Sequence, residues 1–299
     1  MNSAAFFRSI YDHRQRRHNL RALGFMLPGL IGLCIFYIEP FFTVVRFSLC
    51  DNTVEHEFVG VSNFTELFEN GSFRHAFYNS MILALLGTFV LIALSLSVAE
   101  FLSHAKWFTS VLKTIMLVPF VMPAACTALV CLMCTDHCDF FIGLFRQFGV
   151  GGKHSLSDEY ALVLIMFLFL WKNMGYFVLL FCASMINVDQ SVIEAACLDG
   201  AGVIRVFFKI KLRSISPSIV FALLLSVMSS FGMYREVFLI YGTHPPVSAY
   251  LISHYLNNTM HEMNYSKMSA AALLIMFCVI IMSVVFIAVE KRFGGGMEQ

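Results

Sequence analysis

Of the 299 residues, 59% are hydrophobic and 13% are charged, and the formal net charge is +1. Soluble domains carry roughly a quarter charged residues, so about half that share excludes water as the main solvent. The apolar residues are blocked into runs long enough to cross a hydrocarbon core of about 30 Å at about 1.5 Å per residue.

The chain opens on a basic segment, residues 1–21, with Arg14, Arg16 and Arg17 clustered in it. Such a cluster beside an apolar run reads as a topogenic anchor at lipid headgroups rather than as a nucleic-acid contact. No small-residue cleavage site follows the apolar run, so the first span is expected to stay as an anchor. A membrane domain over residues 22–290 is expected to hold six spans, with a short tail over 291–299. The first span covers about Ala22 to Leu49, the second Ala76 to Leu102, and the third Thr114 to Thr135. The fourth runs from Tyr160 to Ile186 and is interrupted only by Lys172. The fifth starts at Pro217 and meets no charge until Arg235, and the sixth is Met268 to Val289.

Six spans put both termini on one side with the second and fourth connections. Thirteen of the 20 basic residues fall there, while the other side holds only Arg74, Arg146, Lys153 and Lys267. This asymmetry predicts cytoplasmic termini, with Glu55 and Lys153 outside.

Two constellations invite a chemical reading. Cys131, Cys134, His137 and Cys138 have ligand-like spacing, but the first two sit on the last turns of an apolar helix, where cysteine acts as a small apolar side chain. No metal site is expected. Gly149 to Ser155 superficially resembles a phosphate loop, yet His154 follows Lys153 and Gln147 holds the earlier glycine position. No nucleotide site is expected there either.

The loop over residues 187–216 has structure of its own. Asp189 or Ser191 can cap a helix, and Ser191 to Glu194 has capping-box spacing. Val192, Ile193, Ala196 and Cys197 give that helix an apolar face. Asp199-Gly200-Ala201-Gly202 forces a turn, and a second helix over about Val203 to Leu212 mixes Phe207, Phe208 and Ile210 with Arg205, Lys209 and Lys211. An exposed element of this kind inserts into a partner's groove.

Glu194-Ala195-Ala196, three residues, Gly200, nine residues, then Ile210-Lys211-Leu212 resembles the Glu-Ala-Ala loop of binding-protein-dependent ABC importer permeases. Arg213 stands where that loop usually carries proline, and Pro217 follows. Leu27-Pro28-Gly29, Glu39-Pro40 and Phe47-Ser48 look like the first span of the sugar-permease, maltose-type branch. Phe58 to Phe64, Tyr78-Asn79-Ser80, Val118-Pro119, Trp171-Lys172 and the Gly242 to Pro246 turn are similar to later stations of that branch. The resemblance implies an all-α, six-span permease whose Glu194, Ala195, Ala196, Asp199, Gly200 and Ala201 couple it to an ATPase. It also implies a bacterial or archaeal cell-membrane location, a second, similar permease chain, two ATP-binding-cassette subunits that hold ATP and magnesium, and an extracytoplasmic solute-binding protein. This chain would then need no cofactor and carry no ATPase site.

Polar residues within spans face a partner or a cavity. Lys172, Asn173 and Tyr176 in the fourth span, and Ser229, Ser230, Tyr234, Arg235 and Glu236 in the fifth, are the candidates for the pathway. Asn, Ser and Tyr suit sugar hydroxyls, and the cations leave room for an acidic sugar. The alternative is a helix-to-helix ion pair. At the level of function, the alternative is a single-chain, ion-coupled transporter with an intramembrane acidic relay, for which only Glu39, Glu100 and Glu236 stand deep enough.

Overall fold

The computed structural model describes residues 24–53, 57–104, 109–137 and 161–294. Glu55, Cys138, the Gly149 to Ser155 stretch with Lys153, and most of the two terminal segments lie outside the described residues. Within the described residues the chain is helical, and its one extended contact is an isolated bridge between Cys50 and Phe58. Among the described residues, five helices are long and apolar enough to cross a membrane: Gly24–Leu49, Gly71–Ser103, Ala161–Ile186, Ser216–Tyr241 and Tyr265–Arg292.

The third expected span is not one straight helix. Val111–Val121 and Ala124–Cys134 meet at a bend of 100°, and only if they are counted together does the total reach six. Pro123 is the cause. It disfavours helical angles at Met122 and donates no amide hydrogen to the ladder. The first span shows a milder form of the same effect. Pro40 removes the donor that Phe36 would need, and the ladder widens into a π turn over Cys34–Ile38.

The fourth span lies at the centre. Leu164, Leu168, Phe169, Phe177 and Phe181 on it are buried, and they pack with Leu83, Leu91 and Ile92 of the second span and Ala222 of the fifth. Gly175 lets the third span approach closely: a Cβ there would stand 1.7 Å from the Met116 carbonyl oxygen. Thr88 and Ser226 share a buried hydrogen bond of 2.9 Å that ties the second span to the fifth. In lipid such ties and small residues replace the hydrophobic drive between helices.

The first span behaves differently. None of its apolar window is buried; Phe25 is 89% exposed and Tyr37 76%. It touches the rest mainly along the sixth span, where Phe47 meets Tyr265 with ring centroids 6.4 Å apart.

The face opposite the 187–216 loop is closed by short connections pinned by amides. Asn63 donates to the carbonyls of Ser48 (2.9 Å) and Cys50 (2.8 Å), fixing the first connection to the end of the first span. Asn79 donates to Val247 O (2.7 Å) and Tyr250 O (3.1 Å), and Ser80 accepts from the Ile252 amide at 2.8 Å. The motifs Ser62-Asn63-Phe64 and Tyr78-Asn79-Ser80 thereby acquire a physical role as clamps. The second of them holds the start of a helix that the sequence pattern alone did not mark, Ile252–His261, between the fifth and sixth spans.

Candidate functional site

The loop between the fourth and fifth spans is built from its caps outward. Its first helix is Gln190–Leu198, and Asp189 caps it by accepting the Ser191 amide at 2.9 Å. That bond holds the Asp189 carboxyl below the usual carboxylate range. The expected capping box does not form. With Asp189 as N-cap, Glu194 sits beyond the third helical position, too far along to reach back to the cap amide. Glu194 is exposed, and among the described residues it makes no ion pair.

The same helix ends in a closed hydrogen-bond pattern. The Ala201 amide donates to Ala196 O at 2.9 Å and the Gly200 amide to Cys197 O at 3.0 Å, with Gly200 at φ +80°. This is a Schellman motif, in which the residue after the C-cap adopts the left-handed region that glycine enters without penalty. The space around Gly200 is open; no atom lies within 4 Å of where a Cβ would stand. Its glycine is set by backbone angle, not by crowding.

No residue of this first loop helix is buried. Val192 is exposed, Leu198 is 90% exposed, and Val203 and Ile204 beyond the turn are 66% and 76% exposed. Only Ile193 reaches the core. A helix with satisfied ends and an apolar surface left mostly exposed by the described residues is shaped to be received elsewhere.

The second loop helix runs over residues 203–214 and contains a π turn at Phe207–Lys211. The turn rotates Lys211 toward the second span, where its Nζ lies 2.7 and 2.9 Å from the two oxygens of Glu100. Both side chains are largely removed from solvent, at 12% and 16% exposure. Sequence reasoning missed this link because 111 residues separate the partners and no local spacing joins them. The fifth span then starts at Ser216 with Pro217 in its first turn, where a missing amide hydrogen costs nothing. Pro217 thus stands in the first turn of the fifth span, four residues after Arg213.

The candidates within the spans fall into two groups. Lys172 donates to Glu236 Oε1, joining the fourth span to the fifth just beyond the break at Gly232; Glu236 is 3% exposed. Asn173 and Ser230 are buried and donate to carbonyls of their own helices, Phe169 O at 2.8 Å and Val227 O at 2.7 Å. Tyr176 stacks on Phe120 of the third span, with centroids 4.7 Å apart and planes at 15°. Tyr234 is half-buried and meets His254 edge-on at 4.7 Å. Arg235 is exposed and Ser229 half-buried.

His254 belongs to the helix on the opposite face. It is 1% exposed, neither ring nitrogen has a hydrogen-bond partner among the described residues, and burial pushes its pKa down to about 4. Of the cysteine cluster, Cys131 is buried and Cys134 half-buried. The His137 side chain and Cys138 lie outside the described residues.

Among the described residues the chain is a bundle of apolar spans with a protruding two-helix loop, the architecture of a membrane-embedded subunit. Residues 91–295 match the family described as "Binding-protein-dependent transport system inner membrane component". The chain belongs to that family. The sn-glycerol-3-phosphate transport system permease protein UgpA of Salmonella choleraesuis (strain SC-B67) is 29% identical over 274 residues, covering 89% of this chain and 92% of that protein. UgpA of Escherichia coli (strain UTI89 / UPEC) matches to the same extent. A chain of a bacterial ABC transporter involved in the import of the acidic polysaccharide alginate superposes with a TM-score of 0.78 at 18% identity, covering 95% of this chain and 99% of that one. A chain of the alginate transporter in complex with an alginate pentasaccharide-bound periplasmic protein gives 0.78 at 17% identity, covering 93% and 96%.

Proposed function

We propose that this chain forms the transmembrane pathway of an ATP-binding-cassette importer for a carbohydrate, and that its 187–216 loop is the lever through which a separate ATPase acts. The observation that carries the reading is the first loop helix itself. It has satisfied ends, an exposed Glu194 without an ion pair among the described residues, and an apolar surface of which the described residues bury no side chain fully.

The lever is connected to the pathway at defined points. The second loop helix continues into the fifth span through Ser216 and is bonded to the second span through Lys211 and Glu100. A displacement of the loop is therefore transmitted to two spans that Thr88 and Ser226 hold together. Alternation between inward-open and outward-open states then follows from differential stabilisation by nucleotide and loaded binding protein. The cargo is a mono- or oligosaccharide, acidic ones included. The similar proteins are named for sn-glycerol-3-phosphate and for an acidic polysaccharide, both polyhydroxylated anions, and the exposed Arg235 and half-buried Ser229 have chemistry to match. Their position outside the core is consistent with a path shared with a second, similar permease chain.

An acidic relay for ion coupling has little support in this geometry. Glu236 is engaged by Lys172 and Glu100 by Lys211.

The test is uptake, together with ATPase stimulation by loaded binding protein, in Glu194→Ala and Gly200→Val. Both variants are expected to insert and to lose coupling. Normal stimulation and uptake in both would remove the lever from this loop.

A further inference from the structure

We propose that the groove beside the second loop helix binds an anionic phospholipid of the leaflet on the loop's side. The groove has a volume of about 1000 Å³ and lies between that helix, the start of the fifth span and the end of the sixth. Its floor is apolar, formed by Phe89, Ile219, Leu223, Phe286 and Val289. It opens to the surroundings of the bundle, since Phe89 is 54% exposed and Val285 and Val289 are each 50% exposed.

The mouth is cationic. Lys209, Arg213 and Arg292 line it from two different elements, all three exposed, and none is in an ion pair among the described residues. The acid in the groove, Glu290, is half-buried and accepts the Ser216 hydroxyl at 3.4 Å. Three cations against one turned-in carboxylate leave the mouth positive by about two charges.

An apolar floor below a positive mouth, at the level where spans meet the loop, fits one occupant best: an acyl chain with a phosphate above it. Guanidinium groups suit phosphate because they bond it with a planar fork. The chain's own basic segment, residues 1–21, is a poor occupant. It carries Arg8, Arg14, Arg16, Arg17 and Arg21 against Asp12 alone, and like charges repel. A zwitterionic lipid offers the phosphate but adds a cation to a site that already has three. Lys209 and Arg213 share a helix with Lys211, so the headgroup would hold that helix from the side opposite Glu100.

The full-length protein, purified in detergent with equal phosphatidylglycerol and phosphatidylethanolamine added, is read by native mass spectrometry. Phosphatidylglycerol should be retained preferentially. The double change Arg213→Gln and Arg292→Gln should lower its retention at least about tenfold, from about fivefold for each charge lost, and leave phosphatidylethanolamine unchanged. Lys291→Gln, one residue away but outside the groove, should change neither. Val289→benzoylphenylalanine should cross-link to lipid. Equal retention of the two lipids by the unaltered protein, unchanged retention in the double variant, or cross-linking of position 289 to another polypeptide in place of lipid would each overturn the proposal.

Discussion

At the scale of single residues, three positions carry distinct kinds of constraint. Gly200 is constrained by its backbone. With φ at +80° and open space around it, a side chain there costs about 1–2 kcal/mol of left-handed strain and unwinds the Schellman turn. Gly200→Val should therefore shift the loop more than it destabilises the bundle, giving near-normal melting in detergent with lost ATPase stimulation. Gly175 is constrained by its neighbour. Gly175→Ala places a methyl group against the Met116 carbonyl, which must move. The change should cost about 1–3 kcal/mol, read as a lower melting temperature in detergent with the loop unaltered.

Lys172 and Glu236 are constrained by each other. Removing one leaves the other's charge buried, and such losses run to about 3–5 kcal/mol. Lys172→Met should be strongly destabilising, while the pair Lys172→Met with Glu236→Met should recover most of the loss. A double variant as unstable as the sum of the singles would show that the two do not act as a pair.

At the scale of elements, the Ile252–His261 helix is held by Asn79 and Ser80 and centred on a buried, neutral His254 between Tyr234 and Tyr250. Its folded pKa of about 4 lies below the ordinary imidazole value of 6.5, so between those pH values the unfolded state binds more protons than the folded one. Stability then falls as pH drops through that window and levels off below about 4. Thermal melting of the purified protein should decline from pH 6.5 toward 4, and His254→Phe should remove most of that slope. A slope unchanged by the substitution would place the sensitivity elsewhere. The elbow at Met122 and Pro123 is the other element-scale feature. It turns the second half of an apolar run by 100°, a change that hydropathy does not register because both halves are equally apolar.

At the scale of the whole molecule, the first span stands apart. Among the described residues nothing buries its apolar window, whereas the fourth span is covered on several sides. A span of that kind has a face open to lipid or to a protein partner, and on the proposed function that partner is a second, similar permease chain. Cysteines introduced along it should form cross-links to a similar but different chain in the assembled complex. Cross-links only between copies of this chain would indicate a homodimer. The orientation is tested on the same scale. In intact cells a membrane-impermeant thiol reagent should label Lys153→Cys and leave Gly200→Cys unlabelled, in a background without native cysteines.

The amino-acid sequence by itself determined the class of fold, the loop and most of the span boundaries. Each of these follows from local composition: apolar runs set where helices cross, prolines and glycines set where they stop, and basic residues set the expected sides. The Glu194 to Leu212 pattern was legible for the same reason, since a cap, a turn and two short helices are all written within about twenty-five residues. What only the tertiary structure decided are the relations between distant side chains. Lys172 with Glu236, Lys211 with Glu100, Thr88 with Ser226 and Asn79 with the 247–250 turn join residues 64 to 171 positions apart. Helix phase and crossing geometry choose such partners, and neither can be read from one stretch of chain. The same holds for the cap. Asp189 and Ser191 were equal in sequence, and the backbone angle at Asp189, extended with ψ at 117°, gave it the cap and left Glu194 free of it.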